Sequence, residues 1–428
     1  MGHLLKHRKY SYLIFLFGIL LFHACTSPKE AYHSKENLYK KTNQELNTKL
    51  LAYHINDSMT RIYFSLDNEN LLYKRPDTSN MFYAAVKIRF ATYINGKTKQ
   101  VLDTGGLTIL DRQGDKFFPK TLKGHLFSKC RAGQSYLCEV AIYDLNKKTR
   151  TNYVLPIDKS TPGARQNFLI QKNDGTILYD YHLKPGDTVV IKSFINTEIN
   201  LVADYFKHDF PLALPPYSTA DRSDFEYKPD SFFVISRTSG VFRIVIPEKG
   251  FYHIVTEKET RNGLSLFSVD PSFPGIKDET EMIRCIRYIT TSEEYKSLLN
   301  ADNKKAAIDD FWKDKGGSNE RAKELLKKYY GRVQQSNKLF TSFQAGWQTD
   351  RGMIYIVFGA PSKMYKYATH EIWIYGLEST SNSLRFNFQK IANPFSENHF
   401  VMERSDYYKF PWHQAVSGWK EGRIFMDN

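Results

Sequence analysis

Cysteine is scarce in this sequence: four residues in 428, at positions 25, 130, 138 and 285. None forms a CxxC pair, so the common thiol-based zinc and redox motifs are excluded. HExxH, GxSxG and GxGxxG are also missing, and with them the most recognisable metalloprotease, hydrolase and dinucleotide signatures. ATYINGKT ends like a phosphate loop, but Ala91 stands where the first Gly is needed. No close pair of carboxylates suggests a glycosidase dyad. His370 and His399 lack companions at metal-ligand spacing. No metal, cofactor or catalytic group is therefore expected. No apolar run is comfortable as a membrane-spanning helix.

The net charge is +14, yet no dense Lys/Arg block or known nucleic-acid motif occurs. Nucleic acid is not an expected partner. The basic balance suits anionic lipid, lipopolysaccharide or an acidic protein instead. Hydrophobic residues make up 41% and aromatics 15%, enough for each of about two to four domains to bury a core.

The N-terminus has the order of an export signal. MGHLLKHRKY carries Lys6, Arg8 and Lys9 and no acid, and SYLIFLFGILLFHA follows as an apolar segment of signal-peptide length. It ends at Ala24-Cys25, before the polar run TSPKEAYHSKEN. A small residue before Cys at this place resembles a bacterial lipoprotein signal, with Phe22 where Leu is usual. The resemblance implies that Cys25 becomes the first mature residue and carries acyl chains such as palmitate. Several chains, at about 0.8 kcal/mol per buried methylene, anchor a protein stably. Lys29-Glu30 is only weakly acidic for a surface-export signal. A periplasm-facing position on the outer membrane is the expectation.

Local patterns divide the rest. Residues 25–57 read as a lipidated tether with a short helix in NLYKKTNQELNTKLLAY. Residues 58–160 read as a β-sandwich-like domain: MTRIYFSLD alternates with Ile62, Phe64 and Leu66 on one face, and FYAAVKIRFATYI runs into the turn Asn95-Gly96. Tyr136, two residues before Cys138, is similar to the tyrosine corner of immunoglobulin-like sandwiches. Cys130 and Cys138 are expected as buried thiols rather than a disulfide. Residues 161–275 form a second β-rich segment, interrupted by HDFPLALPPYSTADRSDFEYKPDS. That stretch is either a crossover packed on its own sandwich or an arm that meets a partner or another domain.

From 276 the periodicity becomes helical. TTSEEYKSLLN has a helix start; KKAAIDDFWKDKGG places Ile308, Phe311 and Trp312 on one face and stops at Gly316-Gly317. Ser318 caps a long helix with Ala322, Leu325, Leu326, Tyr329, Tyr330 and Val333 at spacings of three and four. That helix leads into 346-GWQTDRG-352. Here Gly346 is expected to turn the chain with positive φ. Trp347 fills the gap between helix and sheet, and Thr349 and Asp350 accept backbone N–H groups as turn formers. Gly352 completes the turn, and MIYIVF, EIWIYG and LRFNFQ read as a three-strand meander. The whole is a mainly β chain: two β-sandwich-like domains, then a helical segment packed on a small antiparallel sheet in a C-terminal α+β domain at 276–428.

Gly346-Trp347-Gln348-Thr349-Asp350-Arg351-Gly352, with Ile354-Tyr355-Ile356 and Phe358-Gly359-Ala360-Pro361 behind it, resembles the GWxTD domain of Bacteroidota and relatives. Phe311-Trp312, the helix start at Asn319-Glu320, Glu371 to Tyr375 and Phe386-Asn387-Phe388 fit the same family. Ala360 departs from the usual Pro. The resemblance implies an exported lipoprotein with β-rich segments before the named domain, and it implies no reaction.

Three functions fit. The leading one is an outer-membrane lipoprotein acting as a non-enzymatic scaffold, assembly or partner-binding subunit of the cell envelope. The second is a surface glycan- or peptide-binding module using aromatics of 205-YFKHDFPLALPPY-217 and 407-YYKFPWHQAVSGW-419. The third is a hydrolase using Asp350 with His370 or Glu371.

Overall fold

The computed structural model describes residues 46–76, 80–95, 100–194, 200–207, 210–220, 228–256, 262–367, 369–378, 380 and 383–424. The expected signal segment, Cys25, the start of the expected tether and Gly96 lie outside the described residues. The described residues are mainly β, with five sheets and with helices concentrated in the C-terminal part. No helix of the described residues is long and apolar enough to cross a membrane.

The first layer pair contains β1 (Thr48–Asn56), β2 (Met59–Asp67), β3 (Phe82–Ile94), β4 (Val101–Gln113), β5 (Thr121–Lys129), β6 (Ser135–Asp144) and β7 (Thr149–Asp158). They form the antiparallel sheets β1-β2-β5 and β4-β3-β6-β7. Ile62, Phe64 and Leu66 of one sheet share a core with Val86, Ile88, Phe90, Val140 and Ile142 of the other. Period-two alternation is thus realised as a sandwich. The expected helix around residue 50 is instead strand β1, because Ala52 pairs with Ile62 and is buried there. Sheet pairing overrides a weak local helical tendency. The Tyr136 hydroxyl accepts the Arg131 N–H at 2.8 Å and donates to the Arg131 carbonyl at 2.9 Å, so the corner is real. Cys130, Cys138 and Cys285 are free and buried.

The second layer pair contains β8 (Phe168–Lys172), β9 (His182–Leu183), β10 (Thr188–Ser193), β11 (Leu201–Phe206), β12 (Ser231–Ile235), β13 (Arg237–Thr238), β14 (Val241–Val245), β15 (Gly250–Val255) and β16 (Leu264–Ser268). The sheets are β13-β14-β10-β8 and β12-β11-β15-β16-β9. Leu51 and Tyr63 from β1 and β2 enter this second core, so the sheet β1-β2-β5 serves both.

The C-terminal part contains α1 (Glu279–Cys285), α2 (Ser292–Leu299), α3 (Lys304–Gly316), α4 (Asn319–Phe340) and α5 (Asp350–Phe358). Strands β17 (Lys363–Lys366), β18 (His370–Tyr375), β19 (Leu384–Lys390) and β20 (Phe400–Met402) and helix α6 (Lys409–Lys420) complete it. Capping follows the sequence closely: Thr291 makes a capping box on α2, and Ser318 accepts the Arg321 N–H on α4. Gly317 ends α3 in the left-handed region at φ 69°.

One element differs in kind. MIYIVF is not a strand but most of α5, every residue of which is buried. A short apolar run buried on all sides shows no periodicity that separates strand from helix. The meander therefore begins one element later, at β17, in the order β17-β18-β19-β20.

Candidate functional site at the helix–sheet corner

The corner is made by α4, the 3-10 turn Gly346–Gln348 and α5. Its glycines work by closeness. A Cβ on Gly346 would stand 1.9 Å from the Ser336 carbonyl oxygen, and one on Gly352 would stand 1.9 Å from the Gly346 carbonyl oxygen. Three backbone segments cross here with no room for a side chain. Gly346 is not among the positive-φ residues, so the expected turn mechanism is replaced by close approach. The positive φ falls at Gly359, which stops α5 at φ 87°.

Thr349 is the N-cap of α5. Its hydroxyl accepts the Gly352 N–H at 3.0 Å and donates to the Gly346 carbonyl at 2.7 Å. One oxygen thereby starts the helix and fixes the turn before it. Trp347 is buried; its N–H donates to Asn337 Oδ1 at 3.2 Å and its carbonyl accepts the Tyr288 hydroxyl at 2.9 Å. The indole meets the Tyr288 ring edge-on at 6.5 Å.

Asp350 is fully buried, and its carboxylate reaches across to β20 and Arg404 rather than only to its own turn. Its Oδ2 accepts the Met402 N–H of β20 at 2.8 Å, and Arg404 donates to Oδ1 at 2.7 Å and to Oδ2 at 3.3 Å. Arg351 is directed to Glu371, 3.2 Å away and equally buried. Trp373 Nε1 donates to the same carboxylate at 3.0 Å. Burial alone would raise the Glu371 pKa, but Lys366 and Arg351 hold it below the usual carboxylate range. At the far end of α5, Arg332 donates to the Ile356 and Val357 carbonyls at 3.0 and 3.2 Å, and Trp419 Nε1 to that of Val357 at 3.0 Å. These bonds satisfy carbonyls that a helix end leaves open.

The proline-rich stretch after β11 meets this corner. Ala213 N–H donates to the Gln348 carbonyl at 3.2 Å, and Gln348 Nε2 donates to the Phe210 carbonyl at 3.2 Å. Arg404 Nη2 donates to the Leu214 carbonyl at 3.1 Å, and Ser405 N–H to that of Pro216 at 3.0 Å. The described residues 210–216 thus reach the corner as an arm, while Phe210 also stacks on Phe251 of its own second β core at 6.1 Å, so both expectations for the stretch hold in part.

Of the expected site residues, Gly346, Trp347, Thr349, Asp350 and Gly352 come together; Cys25 lies outside the described residues. Arg404, Gln348 and Asn337 were not singled out by sequence. Arg404 stands 54 residues after Asp350, and no local pattern links them. The candidate aromatics are mostly spent on packing: Tyr205, Phe206, Trp412 and Trp419 are buried, while Tyr407 and Phe410 remain exposed. His370 stacks on Tyr367 at 4.2 Å, and His399 lies 4.8 Å from the Phe343 ring.

Residues 250–421 match the family model of the GWxTD domain, which supports the resemblance carried by the motif. No curated protein matches the sequence. Among solved structures, a beta-glucuronidase of Bacteroides uniformis aligns at 10% identity over 25% of this chain and 12% of its own, with a TM-score of 0.17. Bacteroides uniformis beta-glucuronidase 2 bound to cyclophellitol-6-carboxylate aziridine aligns at 9% identity over 28% and 15%, also at 0.17. The chain thus spans a small fraction of either enzyme, and likeness at that level carries no argument about fold or activity.

Proposed function

We propose that this protein is an outer-membrane lipoprotein, anchored through lipid on Cys25, that acts as a non-enzymatic scaffold or assembly subunit of the cell envelope. The observation that carries the reading is how the motif spends its polar groups. Thr349 serves as a cap, Asp350 binds Arg404 and a strand N–H, and Arg351 binds Glu371. A buried carboxylate whose oxygens are taken up by a guanidinium and a strand N–H is not presented to a substrate. Beside them Gln348 and Arg404 bond the arm that follows β11, which suits a part that transmits shape between modules.

The anchor and the periplasm-facing position rest on the order of charges, apolar segment and Ala24-Cys25. Metabolic labelling with palmitate tests the anchor: label is expected on the native chain and absent from Cys25→Ala. Protease treatment of intact cells tests the side, and a shielded protein is the expected result. Affinity purification from solubilised membranes tests the role. A co-purifying envelope component is expected; a lone monomer would overturn the scaffold reading.

A further inference from the structure

The outer face of sheet β4-β3-β6-β7 is a trough of about 1090 Å³, closed on one side by Lys366 of β17. Its character follows from register. Directly opposed residues share a face. Arg89 therefore lies in one row with Gly106, Ala141 and Asn152. Lys87 lies in the next row with Thr108, Tyr143 and Arg150. The opposite face, with Val86, Ile88 and Phe90, is core.

Small residues make the floor. A Cβ on Gly106 would fall 2.4 Å from the Ile88 carbonyl oxygen and 3.1 Å from Arg89 Cγ, so only glycine lets Arg89 lie against that strand. The walls carry four cations, Lys87, Arg89, Arg150 and Lys366, against one carboxylate, Glu139. Lys366 shares its charge with Glu371 at 3.5 Å. Among the described residues no carboxylate pairs with Lys87 or Arg89. Arg150 packs over the Tyr143 ring at 5.4 Å and donates to Asn152 at 2.6 Å, which presents a flat surface bordered by donors.

We infer that this trough binds an acidic polysaccharide, one whose sugar rings carry carboxylate or sulfate groups. Guanidinium and ammonium groups match the anions; hydroxyls of Thr104 and Thr108, the Asn152 amide and Glu139 match sugar hydroxyls. The planar Arg150 guanidinium, lying over Tyr143, suits the carboxylate of an acidic sugar. An acidic peptide would favour the open edge of β4 or β7, where main-chain bonds are available, over the face of the sheet. The inference does not depend on the anchor or on a scaffold role.

The test uses the full chain in mild detergent and measures binding of polygalacturonate, neutral dextran, poly-L-glutamate and an oligothymidylate. Polygalacturonate is expected to bind best, and added salt should weaken it. The outward-facing pair Lys87→Glu/Arg89→Glu should reduce its affinity by about tenfold or more with an unchanged melting temperature. Arg150→Glu, on a neighbouring strand, should act in the same direction. The inference is overturned if polygalacturonate does not bind or if both variants bind it as the native chain does. It is equally overturned if poly-L-glutamate, dextran or the oligonucleotide binds as tightly.

Discussion

Asp350 and Arg404 are joined inside the protein: Arg404 donates to both carboxylate oxygens, and the aspartate is fully buried. Removing one partner of such a pair leaves the other buried and uncompensated, at about 3–5 kcal/mol. Asp350→Asn should therefore lower the thermal midpoint and the urea midpoint strongly. An unchanged midpoint combined with loss of a measurable activity would instead place Asp350 in catalysis.

Two glycines make opposite predictions. Gly352→Ala puts a methyl 1.9 Å from a carbonyl oxygen and should cost more than about 4 kcal/mol or prevent folding. Gly331 lies inside α4 with nothing within 4 Å of its absent Cβ. Gly331→Ala should stabilise by about 1 kcal/mol, the helix-propensity difference. Chemical denaturation of both variants checks the contrast.

Cooling and heating aside, acidity should loosen the first sandwich. His54 is buried, donates Nε2–H to the Asp158 carbonyl at 2.8 Å and accepts from Thr60 at 2.9 Å. Burial, with the Lys159 charge in the same direction, pushes its pKa from 6.5 to about 4. The folded value lies below the unfolded one, so the unfolded chain takes the proton first. Stability is complete above about pH 6.5 and falls as pH drops toward 4, by about 3 kcal/mol in total. His54→Gln should flatten that slope in urea titrations at neutral and mildly acidic pH, whatever it costs at pH 7.

The three described thiols should be silent in the native state. Burial raises the Cys138 pKa to about 12 and moves Cys130 and Cys285 upward too. The thiolate is the reactive form. A Cys25→Ser chain should react with a disulfide reagent only after denaturant is added; fast native labelling would refute the packing of these residues.

Much of this fold is legible where one face is wet and the other dry. Ile62, Phe64 and Leu66 announce a strand, and Ser318 announces the start of α4, because their signals are local. MIYIVF gives no such signal, since α5 is covered on all sides and burial erases the periodicity that separates helix from strand. The motif residues are visible as a cluster, but their jobs are not. Gly346 looks like a turn former and proves to be a crossing point. Asp350 looks local and is spent on Arg404, a choice made by β20 returning past the start of α5. The arm at 210–216 is legible as punctuation, and its destination is set by long-range backbone bonds that leave no trace in spacing.

The matched family region opens at Gly250, the first residue of β15. That strand sits in mid-sheet, between β11 and β16, and β11 is sequence outside the match. A gene fragment cut at this border would emerge with an unpaired strand edge, and without the arm that Gln348 and Arg404 hold. Such an edge recruits other chains. Fragments intended for expression should start before the first sandwich strand, and recombination between homologues at residue 250 should yield aggregates, whereas an exchange that carries both β layers along should give soluble chimaeras.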